Sequence, residues 1–296
     1  MKVKLDKVAI VGGTHGNELT GAYLVKKFER NSDLIKRSSF ESLTLLANPR
    51  AFGANLRYVD RDLNRCFTHE DLTNLNLTSY EDLRAKEIEQ ILSPKLDSQV
   101  DLIIDCHSTT ANLGITLILG SEHPFLLSLA AHITALNPTI KIYRWNNYSN
   151  RQDNPFLRSL APLGLTLEVG AIAHGVIDSC LFRQTETTIY AILDYLEAYN
   201  LNKLVAAPAK LTLYQNIETV DFPRNQQGDI LAMIHPNLMA QDYSPLYPGD
   251  SMFQTFEDHN ILYEGKTTVY PVFIAESSYL EKGIAMCLTH KREIML

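Results

Sequence analysis

The chain has 296 residues, a net charge of −7, 45% apolar and 21% charged residues. This is the profile of an ordinary globular protein with one large domain or two unequal ones. The acidic balance argues against a general nucleic-acid binder, and no apolar run approaches the ~18 residues of a membrane span.

Met1 to Asp6 lead straight into a strand-like segment, without the apolar stretch and small-residue cleavage site of a secretory signal. Val8 to Val11 is a short apolar run ending at a glycine pair, which predicts a buried strand. Asn17 to Arg30 reads as a helix, with Asn17 as a candidate cap, and Leu43 to Leu46 as a second strand. Residues 80–92 form an amphipathic helix opened by a Ser79/Asp82 capping box. Val100 to Cys106 and Ile115 to Leu119 are strands, 122–135 is helical, and 139–143 and Leu165 to Leu167 are strand-like. A further helix carries Ile189, Ile192, Leu193 and Leu196 on one face.

Strands alternating with helices predict an α/β domain with a largely parallel sheet. The pattern changes at Ala206-Ala-Pro-Ala-Lys210, where short β-rich pieces and turns such as Pro248-Gly-Asp begin. Residues 1–205 are expected to form the larger α/β domain and 206–296 a smaller, mainly β domain. Cys66, Cys106, Cys180 and Cys287 are scattered with no CxxC pair. That pattern indicates neither a disulfide framework nor a thiolate zinc site, and it fits a reducing cytoplasm.

The stretch V-G-G-T-H-G-N-E-L-T-G, residues 11–21, matches neither phosphate-loop spacing. As a plain strand-to-helix turn it would leave His15 and Glu18 unexplained. As half of a metal site it uses both, because three-residue spacing at a helix start brings an imidazole and a carboxylate to one side. Zinc accepts such donors, and a catalytic site has three protein ligands and an open position. The third should come from another strand end, since ligands gather at the carboxyl ends of parallel strands. Asp101-Leu-Ile-Ile-Asp-Cys-His107 supplies it in His107, with Asp105 on the same side to orient an imidazole or to make a structural hydrogen bond. The other seven histidines lie in loops or helices without such partners.

Asn48 to Arg65 is a long connection holding Arg50, Arg57, Arg61 and Arg65, with Asp60 and Asp62 available to hold them. A solvated loop is one reading; arginine forks that grip carboxylates or stabilise an oxyanion are the other. Leu165-Thr-Leu-Glu-Val-Gly170 ends near Glu168, which fits a general base or equally an edge charge. Arg158 by itself reads as a surface residue.

With these residues together, the chain resembles the aspartoacylase branch of the aspartoacylase/succinylglutamate desuccinylase family, zinc-dependent relatives of the carboxypeptidase A fold. The matching blocks span nearly the whole chain: G-G-T-H-G-N-E, N-P-R-A, R-Y-V-D-R-D-L-N-R, D-C-H-S-T-T-A-N-L-G, L-E-V-G and V-Y-P-V-F-I-A-E-S-S-Y-L-E-K. The resemblance implies a zinc-carboxypeptidase-like domain with a mixed, largely parallel sheet flanked by helices, capped by the β-rich C-terminal domain. It implies one Zn2+ per chain on His15, Glu18 and His107, with Glu168 as proton shuttle and Arg57 polarising the scissile carbonyl. Asn64 and Arg65 would hold the substrate's α-carboxylate side, Arg158 an acidic side chain, and Tyr279 would reach in from the C-terminal domain. The implied partner is a small N-acyl amino acid, neither nucleic acid nor membrane, and relatives suggest a homodimer.

The chain departs from the family's pattern in Arg151-Gln-Asp-Asn-Pro-Phe-Leu157, in Ser108 and in Ala171-Ile172. These changes bear on substrate choice more than on zinc chemistry. The expected reaction is hydrolysis of N-acetyl-L-aspartate to acetate and aspartate. Deacylation of N-acyl aromatic or aliphatic amino acids, and a zinc-binding scaffold or sensor without turnover, are the rival readings.

Overall fold

In the computed structural model, residues 4–93, 99–145, 150–204 and 208–296 are described. Strands β1 (Lys7–Gly12), β2 (Glu41–Leu46), β3 (Leu102–Ser108), β4 (Gly114–Leu119), β5 (Lys141–Arg144) and β6 (Leu163–Gly170) alternate with helices. The main helices are α1 (Leu19–Arg30), α4 (Tyr80–Leu92), α5 (Pro124–Leu136) and α6 (Ser179–Asn200); α2 (Pro49–Ala54) and α3 (His69–Thr73) are short. Strands β7 (Lys210–Val220) and β11 (Met286–Met295) extend the same sheet, giving the order β11-β7-β5-β4-β6-β3-β1-β2. Only β4–β6 and β7–β11 pair antiparallel; every other neighbour is parallel. Strands β8 (Ala232–Ile234), β9 (Ser251–Thr255) and β10 (Asn260–Leu262) make a separate small sheet. The expected boundary between residues 205 and 206 lies outside the described residues.

Alternation along the strands assigns each face. Val8, Ile10, Leu102, Ile104, Leu165, Leu167 and Val169 pack with α1, α5 and α6 in one core. Ala9, Val11 and Ile103 pack on the other face with Ile88 and Leu92 of α4 and with Leu157 and Leu160. By the same alternation Asp105, His107, Thr166 and Glu168 lie on this second face. The β3–β6 register sets His107 directly beside Glu168.

Some boundaries differ from expectation. Helix α1 begins at Leu19, and its N-cap is Glu18, whose side chain makes no capping bond; Asn17 does not cap. The carboxylate that would cap the helix is turned towards two imidazoles instead. The strand expected over 139–143 runs over Lys141–Arg144, and the Ser79/Asp82 capping box forms as expected. All four cysteines are free. Among the described residues, no helix is long and apolar enough to cross a membrane.

The turn after β1 needs two glycines for different reasons. Gly13 has a φ of +68°, in the left-handed region that other residues avoid. A Cβ on Gly12 would overlap the carbonyl of Gly21, where α1 crosses the strand. Gly12→Ala should therefore separate α1 from β1 and cost about 1–3 kcal/mol through overpacking. Its urea midpoint should fall below wild type, whereas Gly53→Ala, with open space at its Cβ, should sit close to it.

Candidate active site and metal centre

Two strand ends and a helix start build the centre. His15 follows β1, Glu18 caps α1, and His107 is the penultimate residue of β3. All three are buried, at 3–4% exposure. Glu18 lies between the imidazoles: its Oε1 is 2.6 Å from His15 Nδ1 and its Oε2 is 2.9 Å from His107 Nδ1. The two Nδ1 atoms are 3.2 Å apart.

Each ring's other nitrogen has a carboxylate of its own. His15 Nε2 meets Asp62 Oδ1 at 2.9 Å, and His107 Nε2 meets Asp105 Oδ2 at 2.8 Å. In the neutral rings, those carboxylates place the proton on Nε2, leaving both Nδ1 lone pairs facing each other across Glu18. Such a cluster repels itself unless a cation sits within it. Protonation alone makes the same point. Burial lowers the proton affinity of His107, yet Asp105 and Glu18 hold it well above the usual imidazole range. Burial likewise favours a neutral Glu18, yet His15 and His107 hold it well below the usual carboxylate range. The three residues form a group whose ligand atoms all lie within 4.8 Å of one another, and two nitrogens with one carboxylate are a donor set that zinc accepts. Asp105 plays both parts weighed for it, since its other oxygen accepts from Thr14 Oγ1 at 2.8 Å.

The arginine loop wraps this cluster. Arg57 donates through Nη1 to Glu18 Oε1 at 3.0 Å, and its Nη2 lies 3.4 Å from Asp62 Oδ2. Its Nε finds no acceptor among the described residues. Asp60 holds no arginine; it accepts from the backbone of Tyr80. Arg61 points away to Asp82 at 2.7 Å, and Arg50 lies over the Tyr80 ring.

His15, Glu18, Arg57, Asn64, Arg65, His107, Arg158, Glu168 and Tyr279 all line one cavity. Burial, with Glu18 and Glu276 adding to it, pushes the Glu168 carboxyl up to about 8, against the opposing pull of His107 and Arg57. That is the range of a group able to take and return a proton near neutrality. Asn64 holds the backbone of Leu157 at 2.9 Å through Oδ1. Arg65 and Arg158 lie over the Phe156 ring, at 4.7 and 4.3 Å. Arg158 is buried and donates to Thr166 Oγ1 at 3.0 Å, so it is no surface residue. Tyr279 arrives on the 3-10 turn Ser277–Lys282 and packs on Phe273. Burial pushes its phenol pKa up, so it stays protonated.

Sequence reasoning missed several residues here. Glu276 is buried and accepts from Thr109 Oγ1, from Thr110 through N (2.7 Å) and Oγ1 (2.8 Å), and from Ser278. It ties the C-terminal segment to the loop after His107. Lys282 reaches Asp62 Oδ2 at 2.6 Å. His174, grouped above with histidines lacking partners, lies 3.5 Å from Glu276. Trp145, Tyr143 and Phe273 complete an aromatic wall. No spacing could reveal these contacts, because they join segments more than a hundred residues apart or depend on which face a strand presents.

A mixed α/β sheet that carries a buried His-Glu-His cluster, a raised carboxyl and arginines in one pocket has the donor set and the titratable group that metal-assisted hydrolysis uses. The pattern of the Succinylglutamate desuccinylase/Aspartoacylase catalytic domain matches residues 4–196, and that of the AstE/AspA barrel-sandwich hybrid domain matches residues 209–291. The chain belongs to this family of amide-hydrolysing enzymes. It is 52% identical to a protein named "Probable aspartoacylase" from Nostoc sp., over 98% of both chains. It is 39% identical to the human "N-acyl-aromatic-L-amino acid amidohydrolase (carboxylate-forming)", over 97% of this chain and 91% of that one. The crystal structure of murine aminoacylase 3 superposes with a TM-score of 0.93 at 37% identity, covering 99% and 98% of the two chains.

Zinc added to metal-free protein should raise its melting temperature. At 1,000 times the dissociation constant the gain is about 4 kcal/mol, or on the order of 10 °C for a chain of this size. His107→Ala should show no such rise under the same scan.

Proposed function

We propose that this protein is a zinc-dependent deacylase of N-acyl amino acids, with N-acetyl-L-aspartate as its preferred substrate and acetate and L-aspartate as products. The observation that carries the reading is the raised, buried Glu168 carboxyl set in register beside the metal-binding cluster, inside a pocket that also holds Arg57 and Arg158. A scaffold that only binds metal has no use for a carboxyl of this kind.

His15, Glu18 and His107 hold the ion, which supplies Lewis acidity to the acyl carbonyl and to the attacking water. Glu168 accepts the proton that the water sheds as its oxygen bonds to the acyl carbon. It returns that proton to the amine nitrogen as the C–N bond breaks, giving a carboxylate and a free amino acid. Arg57, fixed by Glu18 and Asp62, presents its charge to the oxygen of the acyl group as negative charge grows there. Asn64 and Arg65 hold the α-carboxylate side. Arg158 holds the side-chain carboxylate, with its plane fixed by Phe156 and Thr166 so that a fork-to-fork pair can form. Tyr279 closes the pocket from the C-terminal segment, which restricts the site to small substrates.

One observation favours a second reading, deacylation of N-acyl aromatic amino acids. Tyr143, Trp145, Phe156 and Phe273 line the same cavity, and the human relative is named for such substrates. Arg158 decides between the two.

Glu168→Gln should lower kcat by about 10²–10⁴, and Arg57→Ala by about 10²–10³, with zinc content unchanged in both; full turnover in either variant would refute its role. Free amine released from a panel of N-acyl amino acids tests substrate choice. Arg158→Ala should lose N-acetyl-L-aspartate hydrolysis while retaining any turnover of N-acetyl-L-phenylalanine. Equal loss on both would remove the case for an acidic substrate.

A further inference from the structure

We infer that a second cavity, behind Arg158, binds a small oxyanion, and that its occupancy weakens the hold of Arg158 on acidic substrates. The first half stands on the cavity alone; the second rests on the reading of Arg158 as the substrate-carboxylate ligand.

The cavity lies where β4 and β5 end and β6 begins, and Gly120, Ser121, Arg144, Arg151, Asn154 and Arg158 line it. Three guanidinium groups thus border one space in a chain of net charge −7, and among the described residues no carboxylate lines it. Arg144 donates Nη1 to the carbonyl of Trp145, but its Nε finds no acceptor among the described residues. The nearby Glu122 is engaged by Arg292 at 3.0 Å. Burial pulls Arg144 below its ordinary proton affinity, opposed only by Glu122. Like charges around a common, partly dehydrated space are unfavourable until an anion enters, and arginine forks match the oxygens of a carboxylate or phosphate.

Arg158 faces both cavities. Its front is fixed by Phe156 and Thr166. Gly120 and Gly164 border the second cavity beside Arg158, and a Cβ on Gly164 would overlap the Arg158 carbonyl. An anion behind the guanidinium would draw on the charge that the substrate carboxylate needs, and would repel that carboxylate directly. The effect should appear in KM, not kcat, and only for substrates with an acidic side chain.

The test uses the zinc-loaded full chain at constant ionic strength, with inorganic phosphate and acetate titrated separately by calorimetry. Arg144 and Arg151 do not line the substrate cavity, so R144Q/R151Q should keep basal kcat. R151Q alone, at an exposed position, guards against misfolding of the double variant. Wild type should bind at least one of the two anions, with affinity falling tenfold or more in R144Q/R151Q and in the same direction in R151Q. Acetate binding identifies the occupant as a product-like carboxylate; binding of phosphate alone identifies an inorganic anion. At saturating anion, KM for N-acetyl-L-aspartate should rise severalfold in wild type and stay flat in the double variant. No binding in wild type, or equal binding in the variants, overturns the site. Binding that depends on both arginines without a change in KM keeps the site and overturns the coupling, whereas loss of the Arg158 reading would show in the substrate panel instead.

Discussion

Two imidazole lone pairs and a carboxylate, packed out of water within hydrogen-bonding distance of one another, set the terms for this protein. Nothing in that cluster donates to anything else in it when the rings are neutral, so a positive charge must be supplied. Asp62 and Asp105 deepen the demand by fixing both protons on the far nitrogens. The surrounding arginine and lysine then neutralise what the carboxylates leave over: Arg57 bridges Glu18 and Asp62, and Lys282 shares Asp62 Oδ2 with it. The charge network suits a bound cation at the meeting point of His15, Glu18 and His107.

The sheet makes the cluster possible. Strands β1, β3 and β6 run parallel and end at the same edge, so the turn after β1, the end of β3 and the end of β6 meet there. Each apolar strand puts half its side chains into the α1/α5/α6 core, and that commitment forces the intervening residues onto the other face. Glu168 beside His107 is a consequence of register: a one-residue slip of β6 would send Glu168 into the apolar core and a leucine or valine into the site.

Much of this was legible in the sequence because strand and site share one pattern. The apolar runs before His15, His107 and Glu168 identify buried strands, and a polar residue at the end of each marks the edge where chemistry gathers. The family resemblance then suggests roles for Arg57, Asn64, Arg65, Arg158 and Tyr279. What the sequence hid depends on direction and on long separations. Asn17 looked like a helix cap, but Glu18 occupies that position and spends its carboxylate on the imidazoles. Asp60 and Asp62 looked equivalent, yet only Asp62 turns inward. Glu276 lies in the last matching block, yet its role stayed hidden, because its partners Thr109 and Thr110 stand more than 160 positions earlier.

Those long-range contacts explain why the C-terminal segment belongs to the chemistry. Strands β7 and β11 continue the main sheet, so the segment is anchored to the scaffold that carries the ligands. From that anchor the turn Ser277–Lys282 crosses the site and touches it at separate points: Glu276 on the loop after His107, Tyr279 in the cavity, Lys282 on Asp62. Lys282 thereby ties that turn to the carboxylate that meets His15 Nε2.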